Sequence, residues 1–506
     1  MTDPTLNQGI CKILKEFKLP LSFPKKVQEE ASQLPEEPPS KEVEGRVDLR
    51  SETVVTIDGE TAKDFDDAVC VQKEGKNYRL WVSIADVSFF VKKNSPIDHE
   101  AYERATSVYF PGGVIPMLPE VLSNDLCSLR PNEEKMTFTC EMEFDETGRR
   151  LNFSIYESVI LSRHRMTYTA IQAILDKDKV TCEKYADMVP HVALMQELKE
   201  KLKKQKSQRG CLDFDLPESE LILNLLGEIE TIVRRSRLDA HMIIEEFMIA
   251  ANETVAEFMF EKNQPFIYRV HEEPDPMTLA EFNELAHNLG YSVEYQKKSH
   301  PKVYARLLEK VEGKPEEKIL NTALLRSMRL ARYSESNLKH FGLASECYTH
   351  FTSPIRRYPD LIVHRLLKNE LKREAKLTDK ANDELEASLG KDANHCSKLE
   401  RRAEEAEREF VALKKAQFMV DKVGSQFVGY ISGVTEFGLF VELADFFIEG
   451  LVHVKTLKDD YYQFIEERYM MKGRHTKNEY HLGQKVLVEV RSVDIDKRQI
   501  DFVMME

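Results

Sequence analysis

The sequence predicts an α+β protein: a mixed body of strands and long helices, followed by a small region built of short strands alone. Three observations lead there. Residues 46 to about 160 read as alternating strands and turns. A long helix is expected from about Asp239 to Lys262, where Ile243, Phe247, Ala251, Val255 and Phe258 recur at helical spacing and read as core. From Val423 the texture changes to short strands, among them Gly438-Leu-Phe-Val-Glu442, Glu449-Gly-Leu-Val-His-Val454 and Gly483-Gln-Lys-Val-Leu-Val-Glu-Val490. The expected division is a linker segment over 1–45, a mixed α/β body over 46–420 and a small β domain over 421–506.

The chain opens on a short helical pattern, Ile10, Ile13, Leu14 and Phe17, followed by the Pro/Glu-rich linker Leu34-Pro-Glu-Glu-Pro-Pro39. The β-branched run Thr53-Val-Val-Thr-Ile57 reads as a strand feeding a tight turn at Gly59. Residues 165 to about 210 turn helical and basic, ending in Lys201-Leu-Lys-Lys-Gln-Lys206. That run fits a solvated helix face and a nucleic-acid contact equally well. A second long helix is expected over about 393–420. In Glu400-Arg-Arg-Ala-Glu-Glu-Ala-Glu-Arg-Glu409, opposite charges three and four apart support it by themselves.

At 506 residues the chain has room for more than one domain. Its 72 Lys and Arg stand against 87 Asp and Glu, a net charge of −15, which argues against coating nucleic acid by bulk charge. A local basic channel stays compatible with that balance. The eight cysteines show no CxxC and no zinc spacing, and read as free thiols of a reducing cytosol. No apolar run approaches a membrane span and no signal-peptide core opens the chain, so a cytoplasmic protein without membrane contact is expected.

The chemistry concentrates in Asp58-Gly-Glu-Thr-Ala-Lys-Asp64-Phe-Asp66-Asp67, between the strand ending at Ile57 and the apolar run Ala68-Val-Cys-Val71. In an extended chain Asp64 and Asp66 point to one side and Asp67 to the other. Carboxylates this close repel one another and call for a positive charge among them. Hard oxygen ligands on adjacent loops suit Mg²⁺, with Mn²⁺ as the alternative. A Ca²⁺ loop of the EF-hand kind would need Gly where Val69 stands. A solvated acidic loop is the plainer reading, and the apolar strands on either side weigh against it.

The surrounding motifs carry a resemblance. Arg46-Val-Asp-Leu-Arg50 and Thr56-Ile-Asp-Gly-Glu-Thr-Ala-Lys-Asp-Phe-Asp-Asp-Ala68 resemble the signature of the ribonuclease II (RNB) family, and within it the bacterial ribonuclease R branch. The likeness continues through Leu80-Trp-Val-Ser-Ile-Ala-Asp86, Thr106-Ser-Val-Tyr-Phe-Pro-Gly112, Ile115-Pro-Met-Leu-Pro119, Leu126-Cys-Ser-Leu-Arg130 and His350-Phe-Thr-Ser-Pro-Ile-Arg-Arg-Tyr-Pro-Asp360. The last strands resemble the S1 type of OB fold. The resemblance implies an RNB catalytic domain before an S1-type β-barrel. Members of this branch carry cold-shock-type OB domains ahead of the linker, and none is expected in the present chain.

What the resemblance further implies is a processive, metal-dependent 3′→5′ exoribonuclease that degrades single-stranded RNA to nucleoside 5′-monophosphates. Asp58, Asp64, Asp66 and Asp67 match the four active-site aspartates, with Mg²⁺ the expected ion. Arg356 matches the arginine on the scissile phosphate; the plain alternative is an ordinary ion pair with Asp360. Tyr109 and Phe214 match an aromatic pair that clamps the last bases, and Tyr168, Glu245 and Glu407 match ribose and 3′-end contacts. Phe437, Phe440 and His453 fall where S1 barrels meet RNA, although Phe440 reads equally as core. Single-stranded RNA is the expected partner of a monomer; ribosomes or RNA-decay factors are not legible in these residues. A catalytically inactive RNA-binding protein of the same fold is the alternative; it should have lost an aspartate or the arginine, and all are present.

Overall fold

The computed structural model describes residues 8–35, 40–214, 218–224, 227–235, 237–293, 300–314, 316–373, 378–465 and 470–505. Residues 36–39 of the Pro/Glu-rich linker lie outside them. Among the described residues nine strands precede residue 170: β1 (Val47–Asp48), β2 (Thr56–Asp58), β3 (Asp67–Glu74), β4 (Asn77–Ala85), β5 (Val108–Phe110), β6 (Gly113–Ile115), β7 (Glu134–Phe144), β8 (Arg150–Leu161) and β9 (Arg165–Thr167).

One sheet runs in the order β1-β8-β7-β4-β3, antiparallel except at the β1–β8 edge. Ala68, Val69, Cys70 and Val71 of β3 are wholly buried, so both faces of that strand are covered and the unbroken apolar run is what its burial demands. The Val189–Arg209 helix packs against β3, and the Asp239–Glu261 helix against β4 and β7. In the latter Ile243, Phe247, Ala251 and Val255 are buried, and Phe258 is half-buried against Phe153.

A buried ion cluster staples this body together. Arg46 Nη2 donates to Asp86 Oδ2 at 2.6 Å, Lys368 Nζ reaches the same carboxylate at 2.6 Å, and Glu157 on β8 sits 3.3 Å from Arg46 and 3.1 Å from Lys368. Lys368 belongs to the Tyr358–Leu371 helix. Four segments far apart in sequence are thereby tied at one point.

The second long helix spans Asp379–Met419, starting well before the expected position near 393. Thr378 caps it, its side chain accepting from the Ala381 N–H. The early turns are polar and the first buried residue is Leu389, so apolar periodicity was blind to them. Further along, this one helix enters three cores. Leu389, Ala393 and Cys396 join the core around the sheet. Ala403, Ala406, Phe410 and Leu413 pack with Ile13, Leu14, Val108 and Ile115. Met419 enters the C-terminal barrel.

Later strands are the hairpin β10 (Glu218–Leu223) and β11 (Ile229–Arg235), the pair β12 (Tyr268–Val270) and β13 (Arg332–Ser334), and then β14 (Gln426–Thr435), β15 (Gly438–Leu443), β16 (Glu449–His453), β17 (Tyr462–Ile465), β18 (Met470–Gly473), β19 (Glu479–His481), β20 (Lys485–Asp494) and β21 (Gln499–Met504). A closed barrel forms in the order β14-β15-β16-β21-β20, the five-stranded closure of an OB fold. Gly450 is required there: a Cβ would land 2.5 Å from the Phe502 ring. Leu221 and Ile232 of the β10–β11 hairpin are buried in the barrel's own core, so a segment from mid-chain helps to build the C-terminal unit. None of the eight cysteines forms a disulfide, and no described helix is long and apolar enough to cross a membrane.

Candidate active site

The aspartate loop between β2 and β3 is pinned along its length. β2 pairs in parallel with β9, setting Asp58 beside Thr167. From β9, Arg165 donates to the carbonyls of Gly59 and Glu60 at 2.5 and 2.8 Å. Ser128 Oγ donates to the Lys63 carbonyl and accepts from the Phe65 N–H, at 2.7 and 3.0 Å. The Ala85 N–H donates to the Asp66 carbonyl at 2.8 Å. Ser128 and Ala85 come from two of the sequence motifs quoted above, whose part here is to hold the loop rather than to react.

A second loop meets the first from nearly 300 positions away. Asp66 Oδ1 accepts from the Ile355 N–H at 2.8 Å. The Ser107 N–H donates to the Arg356 carbonyl, and Thr106 bridges Arg357, so the loop around Arg356 is zipped to the strand leading into Tyr109. Asp360, wholly buried, takes the half-buried Arg357 in a two-pronged pair at 2.7 and 3.0 Å. Arg356 is left 42% exposed, its Nε 3.7 Å from Asp66 Oδ2 and its Nη2 donating to Ser353 Oγ at 3.0 Å. The ordinary ion pair expected as the alternative for Arg356 is therefore made by its neighbour.

The carboxylates share one electrostatic field. Burial pushes Asp66 well above the usual carboxylate range, against the opposing pull of Arg356. Burial, and then the Asp58 charge, push Asp67 up to about 7. Burial also raises Asp58, with the Asp64 charge adding to it. Asp67 Oδ2 is buried without a hydrogen-bond partner among the described residues. Crowded, partly unsatisfied carboxylate oxygens are the donor set a hard divalent cation takes. Among the described residues no three acidic, histidine or cysteine side chains already stand in ion-gripping geometry. In chemistry the carboxylates of Asp58, Asp64, Asp66 and Asp67 suit such an ion.

The other residues singled out by sequence fall in three places. Tyr109 is 40% exposed; its hydroxyl donates to Asp64 Oδ2 at 3.2 Å, and its N–H to Glu407 Oε1 at 2.7 Å. Burial raises both the Tyr109 hydroxyl and the Glu407 carboxyl. Tyr168 follows β9 directly and meets the His241 ring at a tilt, centroids 4.2 Å apart; His241 precedes Glu245 by one turn of the Asp239–Glu261 helix. Glu245 is held by Arg237 at 2.8 Å, which also pairs with Asp213. Phe214, next to Asp213, is half-buried against the helical core of Leu279, Phe282 and Leu308. It lies in that separate core, related to Glu245 only through its chain neighbour Asp213 and Arg237. Three cations of the basic run Lys201–Lys206 are spent on protein, Lys206 on Glu246, Lys203 on Asp213 at 3.8 Å and Lys201 over the Tyr78 ring at 5.7 Å, while Lys204 is exposed.

On the barrel, Leu439, Val441 and Leu443 point inward, which puts Phe440 on the outer face. Phe440 pairs in register with Leu451, and Gly438 with His453. Phe437, 49% exposed, meets Phe440 edge-on at 5.9 Å. Sequence reasoning missed the wall of a cavity of about 640 Å³, where Arg408 and Lys415 stand with Tyr109 and Glu407. The spacing 404, 407, 408, 411, 415 was legible as one helix face, but nothing local says what it faces.

The RNB domain family matches residues 46–373, and the S1 RNA binding domain family matches residues 420–504. Ribonuclease R of Escherichia coli (strain K12) is 44% identical over 501 residues, covering 97% of this chain and 61% of that protein. Ribonuclease R of Aquifex aeolicus is 44% identical, covering 98% of this chain and 70% of its own length. The apo form of Mycoplasma genitalium RNase R superposes with a TM-score of 0.93 at 31% identity, over 99% of this chain and 78% of that one. Its complex with ribose methylated single-stranded RNA gives the same values. The chain thus spans about three fifths of the length of its E. coli relative. With an RNB match over most of its residues, an S1 match over its barrel and this agreement in fold, the chain belongs to the RNB family, in the ribonuclease R branch.

Proposed function

We propose that the chain is a 3′→5′ exoribonuclease that hydrolyses single-stranded RNA processively to nucleoside 5′-monophosphates. One observation carries the reading: the buried Asp66 and the half-buried Asp67 share the field of an arginine whose neighbour has taken the nearby structural ion pair. Arg356 is free to present its fork of donors to a phosphate, where charge develops as the bond breaks. Asp58, Asp64, Asp66 and Asp67 hold Mg²⁺ or Mn²⁺, which when bound supplies an activated water and neutralises the leaving oxygen.

The remaining residues bind and orient. Tyr109 and Phe214 grip the terminal bases. Tyr168, Glu245 and Glu407 read the ribose, since the 2′-hydroxyl is what separates RNA from DNA at one site. Phe437, Phe440 and His453 offer rings on the barrel's outer face for stacking upstream bases. The RNA complex of the Mycoplasma protein supports RNA as the ligand. A monomer acting in the cytoplasm completes the proposal, with the catalytic body over 46–420 and the RNA-binding barrel over 421–506.

The test is one gel. End-labelled linear RNA, circular RNA and DNA are each incubated with Mg²⁺ or with EDTA. The expected result is mononucleotide release from linear RNA with Mg²⁺ alone. Cleavage of the circle would make the enzyme an endonuclease, and an inert linear RNA would leave an RNA-binding protein.

A further inference from the structure

We propose that Arg408 binds an internucleotide phosphate of the RNA strand upstream of the scissile bond. The proposal rests on the exoribonuclease reading, which places the strand's 3′ end over the aspartates. Three features of the Asp379–Met419 helix lead to it.

The first is direction. On one face of the helix Ala403, Ala406, Phe410 and Leu413 are buried and fasten it to the N-terminal helix and the β5–β6 hairpin. On another face Glu404, Glu407, Arg408 and Lys415 line the cavity of about 640 Å³, with Tyr109 on the wall as well. Tyr109 also touches Asp64 with its hydroxyl and Glu407 with its N–H. The cavity therefore adjoins the aspartate site, and a strand leaving that site past Tyr109 runs along this face.

The second is commitment. Neighbouring charges of the region hold other parts of the protein: Glu400 takes Arg269 at 2.5 Å and Glu409 takes Arg498 at 2.5 Å. Lys415 donates to Ser219 Oγ at 3.0 Å and to the Phe447 carbonyl at 2.8 Å, joining the β10–β11 hairpin to the barrel. Arg408 is exposed and makes no ion pair among the described residues; Glu404, one turn back, feels its charge without bridging it. An unspent guanidinium on the wall of a cavity is a phosphate ligand in waiting, because its planar fork matches two phosphate oxygens.

The third is complementarity along the strand. Glu407 and Arg408 are adjacent in sequence and both line the cavity. A carboxylate that accepts from a ribose hydroxyl beside a cation that donates to a phosphate matches the repeat of a ribonucleotide backbone. The net charge of −15 makes such a local cation matter, since bulk attraction gives no help.

The experiment measures equilibrium binding of a single-stranded oligoribonucleotide across a salt series, in an Asp66→Asn background so that the strand survives. Arg408→Gln should weaken binding about tenfold, the scale of one charge-assisted hydrogen-bonded contact. It should also flatten the plot of log affinity against log salt by about 0.7, the share of one phosphate on a single strand. Arg408→Lys should keep the slope and recover part of the affinity, since charge is retained and the fork is lost. Arg401→Gln, an exposed arginine of the same helix outside the cavity wall, should change neither. A slope unchanged in Arg408→Gln, at any affinity, overturns the proposal. A parent protein that neither binds nor digests RNA overturns the exoribonuclease reading instead, so the two failures are distinct.

Discussion

Replacing Asp86 with Asn should cost more stability than any single change at the aspartate loop, although Asp86 does no chemistry. Its side chain is fully buried and accepts from Arg46 at 2.6 Å, from Lys368 at 2.6 Å and from Ser88 at 2.8 Å. Arg46 keeps only 4% of its side chain exposed and Lys368 only 14%, so neither cation can turn to water when the carboxylate goes. Glu157 remains, at 3.3 and 3.1 Å, and must then balance Arg46, Lys368 and Lys372 alone. Breaking a buried pair from one side costs about 3–5 kcal/mol, because an uncompensated charge stays behind. Urea unfolding of wild type and Asp86→Asn at pH 7 should show a loss of that size. Adding Lys368→Met should return part of it, a coupling a double-mutant cycle reads directly. Burial pushes the Asp86 carboxyl upward, yet the Lys368 and Arg46 charges outweigh it and hold the group well below the usual range. A depressed carboxylate stabilises above its unfolded pKa and loses that contribution as pH falls through the folded one. The gap between wild type and variant should therefore be flat above about pH 5 and shrink in stronger acid. A loss under about 1 kcal/mol at pH 7, or a strictly additive double variant, would refute the staple.

Asp66→Asn should abolish hydrolysis while leaving RNA affinity nearly intact, since the amide oxygen can still accept from the Ile355 N–H. Turnover within about tenfold of wild type, roughly 1.4 kcal/mol of barrier, would remove Asp66 from the chemistry. Tyr109→Ala should lengthen the limit product on a sequencing gel, because each lost base–aromatic stack costs roughly 1–3 kcal/mol of grip on a shortening strand. Tyr109→Phe keeps the ring and gives up only the hydroxyl on Asp64, so its limit product should match wild type. Because burial pushes Asp67 up to about 7 and Asp66 well above the usual range, protons compete with the cation: Mg²⁺ affinity by calorimetry should climb with pH between 5.5 and 8. Affinity independent of pH between 5.5 and 8 would contradict that competition.

Much of the molecule was legible before any coordinates. Helical spacing located the Asp239–Glu261 helix to within a residue, because a stripe of apolar side chains is a local code. The apolar runs on either side of the aspartates weighed against a solvated loop, and the second of them, Ala68–Val71, is buried in β3. The start of the Asp379–Met419 helix was not legible, since its first turns bury nothing. Motif resemblance pointed to Arg46, Asp86 and Ser128 without saying that they act as scaffold.

What tertiary structure alone decided are the pairings between residues far apart in the chain. Asp360 lies three and four places from two arginines, and only the loop's fold gives it to Arg357 and leaves Arg356 facing Asp66. Phe440 could lie inside or outside its barrel until strand register turned it outward. The Tyr109 N–H reaches Glu407 across 298 positions, and Ile355 reaches Asp66 across 289. The β10–β11 hairpin enters a barrel that begins some 200 residues later. Periodicity and propensity act over a few neighbours, so a sequence carries them on its face. Contacts across hundreds of residues depend on how whole elements pack, and no local pattern contains that information.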